Sequence, residues 1–131
     1  MKTSMLFFIG LSGFLGVALG AFGAHALKPY LDSYQIQIYE KGIQYHFIHT
    51  LAAAFAMVCF FVFHQKNFKI IALLFLIGIL FFSGSLYLLA IRSLLPFNIS
   101  FVGPITPIGG LFFLFAWAWL AKESLTSINQ K

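Results

Sequence analysis

The chain has 131 residues, 61% of them hydrophobic and only 8% charged, with a formal net charge of +5. Soluble domains carry roughly 25% charged residues, so this composition excludes a protein that covers its apolar core with polar surface. The basic residues stand singly or in pairs, with no basic stripe interleaved with aromatics, which excludes a nucleic-acid-binding face.

The charged residues leave four charge-free stretches, at 3–27, 42–65, 70–91 and 93–121. Crossing ~30 Å of hydrocarbon takes ~20 apolar helical residues, and each stretch is long enough. The sequence therefore predicts an all-α integral membrane four-helix bundle. It is read as a single domain over 1–131, with spans at about 5–27, 43–63, 70–91 and 103–121.

In span 1, Lys2, an apolar run and Ala24-His25-Ala26 imitate a signal peptide. The run exceeds the ~7–15 residues of such a core, so a retained helix is expected. Gly13, Gly16, Gly20 and Gly23 recur at three, four and three, which places them on one helix face. Gly16 and Gly20 make a small-xxx-small pair that admits a second backbone in lipid, either within the chain or in a dimer.

Residues 28–42 are polar and are opened by Pro29. From Ser33, Ile36, Tyr39, Ile43 and Phe47 recur at helical spacing among Gln35, Gln37, Glu40 and Lys41. That pattern predicts a short interfacial helix on the membrane surface, which then turns inward. The alternation in Tyr34–Ile38 also fits a strand, but an isolated strand beside lipid leaves its edge unpaired.

Spans 2 and 3 are joined by the tight link His64–Lys69 and should form an antiparallel hairpin. Cys59 has no partner cysteine and reads as a packing residue. Ser83, Gly84 and Ser85 in span 3 are small enough for close packing. Pro104, Pro107, Gly109 and Gly110 open span 4, leaving Ile108–Ala121 as uninterrupted helix, ~21 Å long. The Gly-Pro segment then either lines a site or caps the helix.

Topology sets sidedness. The tails and the 64–69 link hold Lys2, Lys66, Lys69, Lys122 and Lys131, and the opposite side holds Lys28, Lys41 and Arg92. The excess predicts cytoplasmic N- and C-termini in the inner membrane. The same topology gathers His25, Tyr45, His49, Ser85, Tyr87 and Thr106 at similar depth near the outer face. They form either a polar pocket or the ordinary interfacial belt of amphipathic side chains. His46 and His49 lie at i and i+3, but no buried carboxylate stands by to orient a ligand ring, so no metal or cofactor is expected. A cysteine pair for thiol chemistry is absent, as is a carboxylate within the spans for proton coupling.

Four ordered motifs carry a resemblance over nearly the whole chain. They are Gly20-Ala-Phe-Gly-Ala-His-Ala-Leu27, Tyr45 with His49-Thr-Leu-Ala52, Phe82-Ser-Gly-Ser-Leu-Tyr-Leu-Leu89, and Gly103-Pro-Ile-Thr-Pro-Ile-Gly-Gly110. The chain resembles the small bacterial membrane proteins of domain of unknown function family 423, akin to the transmembrane protein 256 group. The resemblance implies a four-span inner-membrane protein without an established activity, and Gln where this chain has His46.

The sequence leaves two function classes. One is a non-enzymatic accessory or packing component that binds membrane lipid, other membrane proteins or itself. The other is a minimal transporter or carrier that uses the polar cluster. An enzyme is not expected.

Overall fold

A computed structural model describes residues 2–128, and the described residues form four long helices with no strand. Helix α1 spans Lys2–Phe22, α2 Ser33–Phe63, α3 Asn67–Ala90 and α4 Ile105–Ile128. Four segments, Ser4–Tyr30, Ser33–Phe63, Asn67–Ala90 and Ser100–Thr126, are long and apolar enough to cross a membrane. Neighbours in sequence are neighbours in space. The α2–α3 and α3–α4 interfaces are extensive, whereas α1 rests on α2 and only grazes α3.

Local chemistry sets the ends of these helices. After α1 the chain makes a π turn over Gly23–Leu27, closed by the Lys28 N–H donating to the Gly23 carbonyl. A 3-10 turn at Lys28–Tyr30 follows, where Pro29 supplies no N–H to continue an α-helix. Asp32 then caps α2: its carboxylate accepts from the Gln35 N–H at 2.8 Å, while Gln35 Oε1 accepts from the Asp32 N–H at 3.0 Å. At the other end His64 takes a left-handed conformation, φ 58°, and donates its N–H to the Phe60 carbonyl. Histidine is among the few residue types enriched there.

Two expectations are corrected. The stretch Ser33–Gly42 is helical, but it is not a separate interfacial helix that turns inward; it continues without a break into span 2 as one 31-residue helix. At 1.5 Å per residue that is ~46 Å, so about ten residues project beyond the hydrocarbon. Amphipathic spacing alone does not separate a helix lying on the surface from one rising out of it. Span 4 is also whole. Pro107 is the third residue of α4, where an N–H has no partner in the helix, so the helix starts at Ile105 and its 24 residues rise ~36 Å. The proline segment is therefore a cap.

Packing rests on aromatic rings seated where glycines leave room. No described glycine has a positive φ, so these residues supply space rather than unusual backbone. A Cβ on Gly16 would meet the Phe47 ring at 3.1 Å, one on Gly23 would meet Tyr39 at 2.2 Å, and one on Gly42 would meet Tyr87 at 2.8 Å. Gly78 faces Phe113 in the same way, at 2.5 Å. Of the expected packing residues, Gly13 and Gly20 leave room for a Cβ in ordinary contact with Thr50 and Ile43, Ser83 is fully buried, and Gly84 faces open space. The glycine face of α1 thus serves a contact within the chain. Around these joints Ala53, Ala56, Met57, Phe68, Ile71, Phe75 and Ala116 form the core, with Cys59 packed among them.

Gly109 offers the sharpest test, because its absent Cβ would lie 2.3 Å from the Phe82 backbone nitrogen, which cannot swing aside. Gly109→Ala should lower unfolding stability in detergent by about 1–3 kcal/mol, as overpacking does. Gly84→Ala should be neutral, or stabilising by up to about 1 kcal/mol, through helix propensity. Equal effects of the two substitutions in a thermal melt would contradict this packing.

Candidate functional site

The polar side chains of the spans fall into three ties between helices. The first centres on His46 of α2, which is buried. Its Nε2–H donates to the Ser12 carbonyl at 2.9 Å, with the Ser12 hydroxyl 3.1 Å away. That fixes the neutral tautomer, so Nδ1 accepts from the Tyr87 hydroxyl at 3.0 Å. Ser12 Oγ in turn lies 2.7 Å from Thr50 Oγ1. One imidazole therefore joins α1, α2 and α3. Near the α2 N-terminus, the Tyr39 hydroxyl donates to the Leu19 carbonyl at 2.6 Å and holds the end of α1 as well.

The second tie is His49, one turn deeper. Its Nδ1–H donates to the Tyr45 carbonyl at 2.7 Å, leaving Nε2 to accept from Trp117 Nε1–H of α4 at 3.2 Å. The ring lies flat on Phe113, with centroids 3.4 Å apart and planes within 7°. Tyr45 stacks on Phe82 at 4.7 Å. His49 thus uses one ring nitrogen as donor and the other as acceptor, and both are engaged by protein atoms.

The third tie joins α3 to the start of α4. Ser85 Oγ donates to the Phe82 carbonyl at 2.8 Å, and Thr106 donates to Ser85 Oγ at 2.6 Å. Ser83, two residues away, is fully buried, and among the described residues its hydroxyl has no hydrogen-bond partner. In the bundle such an orphan costs about 1–3 kcal/mol.

The six residues expected to share one polar cluster are therefore distributed. Tyr45 and His49 belong together, Ser85 and Thr106 belong together, and Tyr87 joins His46. His25 stands apart, exposed on the π turn. No group of three or more His, Cys, Asp or Glu placed to hold a metal occurs among the described residues.

Sequence reasoning missed Ser12, Thr50 and Trp117, and placed His46 among the outer polar groups or as a metal or haem ligand rather than as a joint between helices. Ser12 lies four residues before Gly16, on the face of α1 that meets α2, and Thr50 lies four after His46. Helical spacing held that signal; nothing in the sequence marked Trp117. At the termini end, Glu123 is buried and accepts from Asn67 Nδ2 at 3.0 Å and Trp119 Nε1 at 3.3 Å, also unforeseen.

The His46 tie makes a prediction about α1. His46→Leu loses both bonds, and interhelical bonds in lipid average ~0.6 kcal/mol each with a maximum near 1.7. We expect a loss of about 1–2 kcal/mol, with faster amide exchange concentrated in α1. His46→Gln carries one donor and one acceptor at similar reach and should keep most of the protection. Uniform loss across all four helices would refute the tie as the holder of α1.

Residues 19–110 match the family described as "Protein of unknown function (DUF423)". The chain is 39% identical over 127 residues to a UPF0382 membrane protein of Haemophilus influenzae, covering 97% of this chain and 98% of that one. It is 36% identical to the UPF0382 membrane protein YwdK of Bacillus subtilis, over 88% and 90% of the two chains. It is 37% identical to the UPF0382 inner membrane protein YgdD of Escherichia coli strain K12, over 87% and 83%. No solved structure matches the chain. Shared descent over nearly the full length, in a chain built of four apolar helices, makes this multi-pass membrane protein a member of the DUF423 family.

Proposed function

We propose that the protein is a non-enzymatic accessory component of the membrane, which binds phospholipid or partner membrane proteins through its outward helix surfaces. What carries this reading is the occupation of the polar groups. Both ring nitrogens of His46 and of His49 are held by protein atoms, and Ser85 and Thr106 hold each other. A carrier or catalyst keeps such groups facing its substrate; here they join helices. The outward surface is apolar instead, with Phe7, Phe14 and Leu51 each more than 60% exposed. Likeness to a relative named as an inner membrane protein supports the same location for this chain. The lysine excess supports cytoplasmic termini.

Native mass spectrometry from mild detergent tests the role. The expected spectrum shows bound phospholipid or a membrane protein and no stoichiometric small solute, and Tyr45→Phe and His49→Gln lower only the melting temperature. A stoichiometric solute that disappears in folded His49→Gln would replace this reading with a carrier. Sidedness is tested by impermeant thiol labelling of whole cells carrying Tyr30→Cys or Lys66→Cys. Position 30 should react from outside and position 66 should not; the reverse pattern inverts the topology.

A further inference from the structure

Where α1 gives way to α2, a groove of about 290 Å³ opens between them. Gly20 and Gly23 line it without a side chain of their own, Lys28 comes from the 3-10 turn, and Glu40 and Gln44 come from successive turns of one α2 face. Tyr39 also lines it, but its hydroxyl is taken by the Leu19 carbonyl. Gln44 Oε1 accepts from Lys41 at 3.1 Å, which leaves its amide N–H groups for a ligand. Lys28 and Glu40 are both exposed, and among the described residues neither is paired with an opposite charge. The lining thus presents one cation, one anion and a neutral donor, with the Lys41 ammonium held on Gln44 at the groove's edge.

Depth and size narrow what fits. The ~46 Å of α2 exceeds the hydrocarbon by ~16 Å, and the apolar end at Phe60–Phe63 places that excess on the Ser33 side. Glu40, seven residues along, is then ~10 Å from the tip at headgroup depth, and Ile43 and Gln44 mark the passage into hydrocarbon. A volume of about 290 Å³ lies near the lower edge of the ~300–1,000 Å³ of small-molecule pockets. It admits a headgroup and leaves the acyl chains on apolar helix surface deeper in the membrane. A purely anionic headgroup would satisfy Lys28 and be repelled by Glu40. A headgroup bearing both a phosphate and a primary ammonium satisfies the pair.

We infer that this groove binds the headgroup of phosphatidylethanolamine, with its phosphate at Lys28 and the Gln44 amide and its ammonium at Glu40. The assignment rests on the lipid-binding role proposed above and names the lipid.

The protein, purified in mild detergent, is offered equimolar phosphatidylethanolamine and phosphatidylglycerol, and bound lipid is counted by native mass spectrometry. The wild type should hold phosphatidylethanolamine over phosphatidylglycerol by about two- to fivefold, the range an exposed ion pair supplies. Glu40→Gln should bring that ratio to about one without loss of phosphatidylglycerol, and Lys28→Gln should lower both. The two residues are exposed, so an unchanged melting temperature verifies the fold of each variant. Lipid held without preference, a preference that survives Glu40→Gln, or retention untouched by Lys28→Gln would overturn the headgroup assignment and leave lipid binding in place. A wild type that holds no phospholipid would overturn the headgroup assignment together with lipid binding.

Discussion

Glycine on one helix opposite an aromatic ring on the next sets the spacing of this bundle. Lipid tails are as apolar as leucine, so burying greasy surface gives two helices little reason to meet inside a membrane. Contact must come from close packing, and a ring that enters the place of a missing Cβ gains many atom pairs at van der Waals distance. Gly16 with Phe47, Gly42 with Tyr87 and Gly78 with Phe113 repeat this arrangement across three successive interfaces. Since none of these positions needs a positive φ, alanine would fit the backbone and fail only for want of space.

Hydrogen bonds then fix which rings meet which helix. Buried imidazoles in hydrocarbon are tolerable when neutral and satisfied at both nitrogens, and the two histidines reach that condition with opposite tautomers. His46 carries its proton on Nε2 because a carbonyl of α1 faces that nitrogen, and His49 carries it on Nδ1 because a carbonyl of its own helix does. The remaining nitrogen of each is an acceptor, filled by a phenol from α3 in one case and an indole from α4 in the other. One polar residue type thus makes two distinct joints, each directional where the apolar packing is not.

The spans were legible because charge is expensive in lipid, so the gaps between Lys2, Lys28, Lys41, Lys66, Lys69, Arg92 and Lys122 trace the membrane directly. The glycine face of α1 was legible from its period. Partner identity was not: Phe47 and Phe55 look alike in sequence, yet Phe47 packs on Gly16 and Phe55 is 56% exposed. Continuity of α2 was misread because amphipathic spacing reports which side of a helix is wet, and not whether the helix axis bends. The Asp32–Gln35 capping box and the absence of proline from Ser33 to Phe63 held the better answer. The six-residue polar cluster failed for a related reason. Similar depth on four helices does not put side chains on facing sides, and His25 ends up outside while Ser85 and Tyr87, two apart on α3, serve different neighbours.

The unequal attachment of α1 explains why a groove forms where it does. Met5, Ile9, Ser12 and Gly16 make a seam one residue wide along α1, and through Met5 and Ile9 it joins the core that α2, α3 and α4 build between them. Beyond Gly16 the seam passes to Gly20 and then to Gly23, where the Tyr39 ring fills the place of the missing side chain. The π turn then widens the helix just before Pro29 ends it. A helix that loses its α geometry and ends at Pro29 cannot stay sealed along a neighbour that runs on to Ser33. The gap falls at the level where Glu40 and Lys28 can reach water, so charges that would be intolerable a few residues deeper are stable at its rim.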